Sequence, residues 1–564
     1  MSYLRGATDD PLLDVTFGQL LDDTAARWPD REAYVFKKTG SRVTFADIQL
    51  KATRLAAGLK AIGTARGDVV AWLFGHRPEW IYLYFAVAKL GAIAMPLMQD
   101  RVGRNVDIMM YFLNKTRVKV LIMGDDEGTN PTDGRTPFLF TLFPEIKTAD
   151  PGKLKIERLP TLTSIVVLED RATGIGAYTM EEVQSLGSDE MLLAEVRMLQ
   201  PQLSCHDTFM LVFTSGSTGQ PKCVELSTYA LHNNIRFIGK AIGMPKEGTA
   251  LYQYFSFRFA VIYPFTAGCT LIVPASMSAP AVEIMEIIQE ERCKAIGVLY
   301  LKQCHDLFHD PRLGEYDLSS LDRVLVTGNV TPKSLVHHAA KVLPNAKMFV
   351  GYGGTEFMFV ASTAAEHMVA EGKGFTVGKL LQHAEMKIVD KDCQVVPLGN
   401  EGEVYVRAYS LFNRYRGDEE KTSKAMTTDG WYKTGDIGVL DKEGVLKLVG
   451  RISDVIIRNS FNMHPTIVEL PLSKHPKVQD VRVVGVPDPA SVEEICACVI
   501  LKKGQTADSQ EMMKFCAEIE MVPREKPGYF LFMDEFPMTL TRRKVDRKKL
   551  RLIAMEKLGL KEVV

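Results

Sequence analysis

The chain has 564 residues, of which 46% are hydrophobic and 24% are charged, a composition that is ordinary for a globular protein with more than one domain. The 68 basic and 69 acidic residues give a net charge of −1, which removes the main electrostatic argument for a nucleic-acid or anionic-membrane partner. The nine cysteines follow neither a metal-ligand spacing nor a disulfide framework, so we expect a reducing compartment.

No targeting or membrane signal is evident in the sequence. The amino terminus, MSYLRGATDDPLL, has no long apolar segment and is too acidic for a typical transit peptide, and the ending LGLKEVV is not a peroxisomal signal. Residues 259–281 are uncharged and long enough to cross a bilayer, but Pro264, Gly268, Pro274 and Pro280 interrupt them. We interpret this stretch as buried strand and loop and expect a cytoplasmic protein without a transmembrane segment.

Helical and strand patterns alternate through the first half of the chain. The segment TFGQLLDDTAARW predicts an amphipathic helix with Thr16 as its N-cap, and TFADIQLKATRLAAGLKAIG predicts a second helix that ends at Gly63. DVVAWLF then predicts a strand and PEWIYLYFAVAKLGA a helix. This alternation predicts a layered α/β domain with a largely parallel sheet.

Three later predicted strands run into glycine-bearing loops. They are DTFMLVF, RVLVTG and AKMFVGYG. Open α/β sheets bind their ligands at the carboxyl ends of strands, so these loops are candidate parts of a site.

The pattern changes from about Glu401, where EGEVYVRA and GVLKLVGR predict short strands joined by turns. After Arg451 come two strand patterns, VQDVRVVGVPD and EEICACVILKK, and a helical one, DSQEMMKFCAEIE. We therefore predict a large domain over residues 1–450 and a smaller α+β domain over residues 451–564. Cys496 and Cys498 fall on one face of their strand, where small buried residues are expected.

The segment TSGSTGQPK, from Thr214 to Lys222, follows a buried strand and concentrates hydroxyls, glycines and one lysine. In such loops the backbone N–H groups converge on phosphate, hydroxyls add donors and lysine adds positive charge. The Walker pattern is absent because Lys222 follows Gln220 and Pro221. SGSTG alone is equally typical of a polar surface turn, but the closing PK after a buried strand favours a phosphate-binding loop.

The segment FTSGSTGQPK resembles the phosphate loop of the adenylate-forming superfamily, which includes acyl-CoA synthetases, peptide-synthetase adenylation domains and beetle luciferases. Four further segments resemble motifs of that superfamily in the same order: GYGGTE (351–356), WYKTGDIG (431–438), GRISDVIIR (450–458) and KVDRKKL (544–550). The segments HPKVQDVRVVGVPD and EEICACVILKKG are most similar to medium-chain acyl-CoA synthetases of the family-member-2 type. The resemblance covers nearly the whole chain, and it implies a large N-terminal α/β domain and a mobile C-terminal lid that meet over the active site.

The resemblance also implies an ATP-dependent ligase. In such enzymes a carboxylate attacks the α-phosphate of ATP, pyrophosphate leaves, and the acyl-adenylate is transferred to CoA, giving acyl-CoA and AMP. The implied cofactors are ATP and Mg²⁺, with CoA as co-substrate, and the implied partner is a small-molecule carboxylic acid, a medium-chain fatty acid in the first place. Related mitochondrial enzymes leave a mitochondrial location open. Neither the acid nor the oligomeric state follows from the sequence.

Site residues are implied position by position. The phosphate loop would comprise Thr214, Ser215, Gly216, Ser217, Thr218, Gly219, Gln220, Pro221 and Lys222. The nucleoside would be held by Gly328, Asn329 and Tyr352 near the adenine, and by Asp436 and Arg451 at the ribose, with Gly353 and Gly354 allowing close backbone approach. Thr355 would contact the α-phosphate, Glu356 would hold Mg²⁺, and Lys544 would neutralise charge on the reacting oxygens.

Several of these residues also have a plainer interpretation. Asp436 is compatible with a turn aspartate, Glu356 with a surface acid, and Lys544 with one charge of a solvated basic run. Only the number and order of the motifs favour the functional roles.

Several positions depart from the family pattern, mainly around transfer to CoA. They are Cys223 in place of glycine after the loop lysine, Gln253 in place of histidine at the acyl-pocket gate, Ser453 at the hinge, and Asn459 and Ser460 in place of a glycine pair beside the pantetheine. One residue is inserted before the lid lysine, so the lid cation is Arg543 or Lys544, and the register of KVDR favours Lys544. Two alternatives stay open: an adenylating ligase with an acceptor other than CoA, and a homologue that binds nucleotide or lipid without turnover.

Overall fold

A computed structural model describes residues 1–97, 106–124, 135–168, 176–214, 221–244, 246–253, 259–276, 279–299, 301–327, 333–364, 375–458, 461–488, 491–539 and 545–560.

The strands of the described chain are β1 (Tyr3–Arg5), β2 (Glu32–Phe36), β3 (Ser41–Thr44), β4 (Val69–Leu73), β5 (Ile93–Leu97), β6 (Val118–Met123), β7 (Ser164–Val167), β8 (Tyr178–Thr179), β9 (Thr208–Thr214), β10 (Lys222–Ser227), β11 (Ala250–Tyr252), β12 (Thr270–Val273), β13 (Ala295–Leu299), β14 (Arg323–Val326), β15 (Lys347–Gly354), β16 (Met358–Ala364), β17 (Phe375–Leu380), β18 (Ala384–Val389), β19 (Gly402–Ala408), β20 (Arg414–Tyr415), β21 (Tyr432–Leu440), β22 (Leu446–Arg451), β23 (Ile456–Arg458), β24 (Phe461–Met463), β25 (Val478–Asp488), β26 (Val492–Leu501) and β27 (Tyr529–Phe532).

The α-helices of the described chain are α1 (Phe17–Arg27), α2 (Phe45–Ala61), α3 (Glu79–Lys89), α4 (Val106–Thr116), α5 (Arg135–Leu142), α6 (Met180–Leu186), α7 (Glu190–Leu199), α8 (Thr228–Ala241), α9 (Phe259–Ala267), α10 (Ala281–Glu291), α11 (Leu301–Phe308), α12 (Lys333–Val342), α13 (Glu419–Ala425), α14 (Pro465–Leu472), α15 (Ser509–Glu518) and α16 (Arg547–Leu558).

Within the described residues these strands form three sheets. The largest has the order β1-β18-β19-β21-β22-β17-β16-β15-β14-β13-β11-β12-β2-β3, and the second has the order β20-β10-β9-β5-β4-β6-β7-β8. The third lies in the C-terminal part of the chain, with the order β24-β23-β26-β25 and β27 paired to β26.

Each large sheet contains one continuous block of parallel strands. Strands β2, β12, β11, β13, β14 and β15 run parallel in the first sheet, as do β9, β5, β4, β6, β7 and β8 in the second. Antiparallel strands extend both sheets, beginning with the β15–β16 pair in one and the β9–β10 pair in the other. The predicted layered α/β fold is confirmed, and its parallel part is one continuous block of strands in each large sheet.

Alternate side chains of the central strands face different cores, because successive residues of a strand point to opposite faces. On β4, Val70 and Trp72 pack into a core that contains residues of both large sheets and of α1, α2 and α3. Ala71 and Leu73 of the same strand pack into a second core with residues of α4. Both faces of the strand are buried, which explains its continuous apolar run.

The first two predicted helices begin at threonine caps. The Thr16 hydroxyl accepts a hydrogen bond from the Gln19 N–H at 3.2 Å, and the Thr44 hydroxyl accepts one from the Asp47 N–H at 3.1 Å. The Asp47 carboxylate accepts the Thr44 N–H in return at 3.0 Å, which completes a capping box. Gly63 follows α2 with a φ of +94°, a conformation that favours glycine at a helix end.

The prediction for residues 259–281 was wrong in part. Residues Phe259–Ala267 form α9, with Pro264 inside the helix, and only Thr270–Val273 form a strand. The segment is uncharged and mostly apolar, so it has no clear hydrophobic period that separates a buried helix from a buried strand. Among the described residues, no helix is both long and apolar enough to cross a membrane.

The C-terminal sheet has two cores of its own. One face of the β25–β26 pair packs on α14 and α15, and the other, with Cys496 and Cys498, packs on α16. Both cysteines are fully buried, as predicted. The Thr466 hydroxyl donates to the carbonyl of Val449 at 2.9 Å and so links α14 to β22. The boundary at residues 450 and 451 stays a prediction.

Candidate active site

Asp436 is a buried carboxylate that is held from two sides. It lies on β21 opposite Arg451 of β22 and is 6% exposed. The Arg451 Nε atom lies 2.9 Å from Oδ1, and the Tyr352 hydroxyl donates to Oδ2 at 2.8 Å. Gly435, the preceding residue, has a φ of +71°, which side-chain-bearing residues rarely adopt. The backbone turn and both carboxylate oxygens are therefore fixed.

The protonation of the groups around Asp436 follows from burial and charge. Burial, together with the neighbouring Asp436 charge, raises the pKa of Tyr352 well above its usual value, so this phenol keeps its proton and donates at neutral pH. The Asp436 charge also raises the pKa of Arg451, which stays a cation. Each carboxylate oxygen has a second lone pair, so Asp436 can accept further hydrogen bonds from ligand hydroxyls.

Glu356 lies just after β15 and is held by Tyr415 of β20. The Tyr415 hydroxyl donates to Glu356 Oε1 at 2.9 Å, and the Glu356 carbonyl accepts the Phe412 N–H at 2.7 Å. Tyr415 is 1% exposed, whereas Glu356 is half-buried. Burial, and then the Glu356 charge, raise the pKa of Tyr415 far above its usual value, so the phenol remains a donor.

Lys222 contacts the same tyrosine. Its Nζ atom lies 4.8 Å from the centroid of the Tyr415 ring, within the range of a cation–π interaction. Lys222 begins β10 directly opposite Thr214, the last residue of β9. One phenol side chain therefore contacts both an acidic and a basic residue of the candidate site.

Five buried aromatic residues, which we call the aromatic cluster, connect the two halves of the site. They are Tyr352, Phe357, Phe412, Tyr415 and Tyr432. The Phe357 ring lies 5.5 Å from the rings of both Tyr352 and Tyr432, and the Phe412 ring lies 5.7 Å from Tyr432 and 4.8 Å from Tyr415.

The polar groups of the site meet at this cluster. Asp436 binds the hydroxyl of Tyr352 at one end, and Glu356 and Lys222 contact Tyr415 at the other. These three residues therefore all contact one aromatic cluster.

Ion pairs to one buried acid, Glu225, hold the strand that carries Tyr415. Glu225 of β10 is 1% exposed, and its two carboxylate oxygens lie 3.1 Å from Arg414 and 3.1 Å from Arg416. These arginines flank Tyr415 on either side in the sequence. The Arg416 N–H also donates to the carbonyl of Cys223 at 2.8 Å, so β20 is held against β10.

The sequence predictions fall into two groups. Those in the described part of the chain are Thr214, Pro221, Lys222, Tyr352, Gly353, Gly354, Thr355, Glu356, Asp436 and Arg451. Those outside the described residues are Ser215, Gly216, Ser217, Thr218, Gly219, Gln220, Gly328, Asn329 and Lys544, together with Arg543, Asn459 and Ser460.

Two of these described residues, and Thr327 beside the predicted adenine loop, are placed as follows. Pro221 offers its carbonyl to the Tyr111 hydroxyl at 3.1 Å. Thr355 lies half-buried between Gly354 and Glu356. Just after β14, the Thr327 hydroxyl donates to the carbonyl of Gly351 on β15 at 3.1 Å, so the last described residue before Gly328 lies beside the start of GYGGTE.

The glycine pair of GYGGTE has a packing reason of its own. Gly353 and Gly354 lie in β15 opposite Phe359 and Met358 of β16. A Cβ atom on Gly353 would lie 2.0 Å from the carbonyl oxygen of Met358, and one on Gly354 would lie 2.5 Å from the ring of Phe357. Close approach of the neighbouring strand and ring therefore requires glycine here, before any ligand is considered.

Three departures from the family pattern lie in described residues. Cys223 is buried, and burial raises the pKa of its thiol to about 12, so it is a packed side chain and not a reactive thiolate. Gln253 is fully buried, and its carboxamide binds both the N–H and the carbonyl of Val298. Ser453 lies in a 3₁₀ turn and donates to Asp454 at 2.9 Å.

The sequence did not point to Tyr415 or Glu225. Tyr415 meets Glu356 across 59 positions of the chain, and it belongs to none of the quoted motifs. The one signal was the pattern RYR, in which two arginines flank a tyrosine at the end of a loop. Two arginines in this pattern are explained by a buried acid that pairs with both, here Glu225. The position of Glu225 opposite β20 is evident only from the sheet order.

The donor set fits one kind of ligand. Glu356 keeps an open carboxylate edge of the type that hard divalent cations prefer, Lys222 supplies positive charge, and Asp436 accepts hydroxyl groups. An anionic ligand that carries sugar hydroxyls and a divalent cation matches these residues, and phosphates at the end of a β-strand with adjacent lysine are a recurrent case.

Comparison with known proteins gives the same picture. The family of AMP-binding enzymes matches residues 21–416, and the C-terminal domain of AMP-binding enzymes matches residues 468–543. The medium-chain acyl-CoA ligase ACSF2, mitochondrial, of Danio rerio is 33% identical over 99% of this chain and 91% of its own length. YngI of Bacillus subtilis (strain 168), named as a candidate acyl-CoA synthetase, is 30% identical over 97% of this chain and 99% of its own length.

The fold has counterparts among solved structures. The anthranilate CoA ligase AuaEII, solved in complex with anthranoyl-AMP, superposes with a TM-score of 0.79 at 22% identity and covers 98% of this chain and 99% of its own. At this identity the likeness shows the shared fold. Because the family match spans well over half of the sequence and the relatives span nearly all of it, the chain belongs to the family of AMP-binding enzymes.

Proposed function

We propose that this chain joins a hydrophobic carboxylic acid, a medium-chain fatty acid in the first place, to CoA in an ATP-dependent reaction that releases AMP and pyrophosphate. Its family and relatives make it an AMP-forming acid–thiol ligase. The chain length of the acid and CoA as the acceptor are the proposed parts, and the names of the relatives support both. The observation that carries the proposal is that Asp436, Glu356 and Lys222 lie around one aromatic cluster.

We assign the nucleoside to the Asp436 end of the cluster. Asp436 accepts the ribose hydroxyls, and Arg451 adds a donor beside them. The ring of Tyr352 lies against the adenine while its hydroxyl keeps Asp436 in place. Gly328 and Asn329 complete the adenine pocket in this proposal.

We assign the phosphates to the Glu356 and Lys222 end. The loop from Thr214 to Lys222 holds the β- and γ-phosphates, and Thr355 contacts the α-phosphate. Glu356 is the proposed protein ligand of Mg²⁺, which would add positive charge beside the phosphates when bound. The residues fit this role, because Tyr415 restrains one carboxylate oxygen and leaves the other edge for a cation.

The chemical problem is charge. A carboxylate must approach a polyphosphate, and two like unit charges 4 Å apart repel by about 4 kcal/mol at an effective dielectric constant near 20. Lys222 and the proposed lid cation Lys544 lower this barrier by neutralising charge as it develops on the reacting oxygens. The carboxylate oxygen then bonds to the α-phosphorus, and the bond to pyrophosphate breaks.

The second half of the reaction transfers the acyl group. The CoA sulfur, having lost its proton, attacks the acyl carbon, and the bond from that carbon to the AMP oxygen breaks. By the family resemblance, Asn459 and Ser460 replace a glycine pair that lies beside the pantetheine during this half. We therefore expect the two replacements to affect the discharge of the adenylate by CoA more than its formation. The compartment is proposed to be the cytoplasm; the name "mitochondrial" belongs to the ACSF2 relatives.

Exchange of labelled pyrophosphate into ATP tests the first half of the reaction. We expect acid-dependent exchange that is strongest with straight-chain acids of medium length, and acyl-CoA as the product once CoA is added. Lys544→Ala should abolish most of the exchange, whereas Lys557→Ala, which removes an exposed lysine of α16, should not.

The other outcomes separate the alternatives. Adenylate that forms rapidly and that CoA does not discharge would indicate a different acceptor. A folded protein that binds ATP and shows no exchange with any acid of the series would contradict the proposal and favour a binding protein without turnover.

A further inference from the structure

Three side chains with metal-ligand atoms converge at the surface outside the proposed active site. The Nε2 atom of His206 lies 3.1 Å from Oδ1 of Asp14, and Sγ of Cys205 lies 3.7 Å from the same oxygen. The ligand atoms of all three residues lie within 4.8 Å of one another, and no other trio of His, Cys, Asp and Glu meets this distance in the described part of the chain.

These separations match a tetrahedral zinc ion. With a Zn–S bond of about 2.3 Å and Zn–N and Zn–O bonds of about 2.1 Å, tetrahedral angles place sulfur and oxygen roughly 3.6 Å apart and nitrogen and oxygen roughly 3.4 Å apart. The observed separations are 3.7 Å for sulfur and oxygen and 3.1 Å for nitrogen and oxygen. For these two pairs, an ion would need to open the His206–Asp14 separation by only a few tenths of an ångström, while the sulfur and nitrogen atoms lie within 4.8 Å of each other.

The Cys205–His206 segment is anchored to the start of α8. The carbonyl of Cys205 accepts the Tyr229 N–H at 2.9 Å and the Thr228 hydroxyl at 3.1 Å. The His206 ring lies 4.4 Å from the ring of Tyr229. These contacts restrain the backbone of one ligand and the imidazole of the other, as the surroundings of metal ligands commonly do.

The same helix holds the segment that carries Asp14. Asn233 of α8 is fully buried, and its carboxamide makes two hydrogen bonds to Leu13: Oδ1 accepts the N–H at 2.9 Å and Nδ2 donates to the carbonyl at 3.0 Å. The backbone next to Asp14 is thus fixed to the helix that also positions the other two residues. One helix therefore holds the backbone of both segments that carry the three ligand groups.

The exposure of two of these side chains and the chemistry of all three ligand groups suit a cation that binds from solvent. The side chains of Asp14 and His206 are 72% and 61% exposed, whereas Cys205 is buried beneath them. Thiolate, imidazole and carboxylate together are ligands that suit zinc, while Mg²⁺ prefers oxygen atoms alone. Three protein ligands leave a fourth tetrahedral position open to water.

We propose that Asp14, Cys205 and His206 bind one Zn²⁺ or a related soft divalent cation, with water as the fourth ligand. On binding, the thiol releases its proton to solvent, and the sulfur, the imidazole nitrogen and a carboxylate oxygen each donate an electron pair, so no group is oxidised or reduced. The ion would join residues 191 positions apart and fasten the N-terminal segment to the turn before β9. The inference is independent of the proposed ligase function.

Cobalt binding to the full-length protein tests this site, because Co²⁺ occupies zinc sites and is visible. In reducing buffer with excess Mg²⁺, we expect one Co²⁺ per chain, visible bands of a tetrahedral centre, a near-ultraviolet thiolate-to-cobalt band, and loss of all bands when Zn²⁺ is added. Cys205→Ser should remove the near-ultraviolet band, and Asp14→Asn and His206→Ala should each weaken binding by about tenfold or more. Zn²⁺ should raise the unfolding temperature of the wild type and not of Cys205→Ser.

Two variants control for other metal-binding groups. Cys393→Ser removes the exposed cysteine, and His309→Ala disrupts the stack of His305, His309 and His338, whose rings lie 4.2 Å apart. Both should keep the near-ultraviolet band. Absence of that band from the wild type, or its survival in Cys205→Ser, would overturn the proposal and leave an Asp14–His206 ion pair as the role of the cluster. Pyrophosphate exchange by His206→Ala, an exposed change that should not disturb folding, is expected to equal that of the wild type.

Discussion

Asp436 and Glu356 are two carboxylates at opposite ends of one aromatic cluster, and their surroundings differ. Asp436 is buried, and each of its oxygens has a partner, Arg451 on one and Tyr352 on the other. Glu356 is half-buried and has the Tyr415 hydroxyl on one oxygen, with Lys222 on the face of the same ring.

The difference shows how one functional group serves two purposes. A carboxylate fixed on both oxygens keeps its place and accepts hydrogen bonds from neutral hydroxyls along its remaining lone pairs. A carboxylate fixed on one oxygen is oriented and still able to coordinate a cation. We therefore expect changes at Asp436 to affect both nucleotide binding and stability, and changes at Glu356 to affect the reaction with little effect on stability.

Glu356→Gln changes the carboxylate that is held on one oxygen, and it should cause the largest loss of activity. The amide still accepts the Tyr415 hydroxyl but no longer offers a charged ligand for Mg²⁺, so we expect a roughly 10³-fold loss of pyrophosphate exchange. The unfolding temperature should stay close to that of the wild type. Glu420→Gln, at an exposed acid of α13, is the matched control. Exchange at the wild-type rate in Glu356→Gln would remove the contrast between the two carboxylates.

Asp436→Asn changes the carboxylate that is held on both oxygens. We expect kcat/KM for ATP to fall about 100-fold, mainly through KM, because charged hydrogen bonds to the ribose are lost. The protein should also lose about 1–2 kcal/mol of unfolding free energy, since Arg451 and Tyr352 lose a charged acceptor. Steady-state kinetics and urea unfolding measure the two effects. A variant that loses activity and no stability would mean that the buried contacts of Asp436 are not those described.

Tyr415→Phe should have a smaller effect that is specific to the Glu356 end. The ring that contacts Lys222 remains, while the hydrogen bond to Glu356 disappears, so the Mg²⁺ concentration for half-maximal exchange should rise about tenfold. The double variant with Glu356→Gln should lose no more pyrophosphate exchange than Glu356→Gln alone, because the two residues act on one interaction. Fully additive losses would show that Tyr415 acts elsewhere.

Treatment with a thiol reagent should have the smallest effect on activity, because Cys223 is buried. Burial raises the pKa of its thiol to about 12, so only about one thiol in 10⁴ is ionised at pH 8. Iodoacetamide should label the exposed Cys393 and leave Cys223 unmodified, without loss of exchange activity, as mass spectrometry and the exchange assay can check. Rapid labelling of Cys223 in the folded protein would contradict the packed position found here.

The sequence predicted the elements whose signals are local. Thr16 and Thr44 mark helix starts because a cap and its partner lie within three residues. The helix at Phe259–Ala267 was missed, since a uniformly apolar segment carries no period and Pro264 suggested an interruption.

The site shows the same division between local and distant signals. Glu356 and Asp436 stand inside recognisable motifs, and the sequence named both. Tyr415, which contacts Glu356 and Lys222, stands in no quoted motif, and its position depends on the pairing of β20 with β10. Contacts made by sheet order between segments far apart in the chain cannot be read from spacing.

The two arginines that flank Tyr415 bind one buried acid, Glu225, and this has a consequence for how the enzyme can change shape. Strand β20 follows β19 of one large sheet in the chain and pairs with β10 of the other. The chain therefore connects the two sheets next to Glu356. If one sheet slid against the other, the buried carboxylate of Glu225 would lose both of its arginine partners. An unpaired buried charge is strongly unfavourable. We therefore expect the two large sheets to move as one rigid body beside Glu356, so that any structural adjustment falls on other segments of the chain.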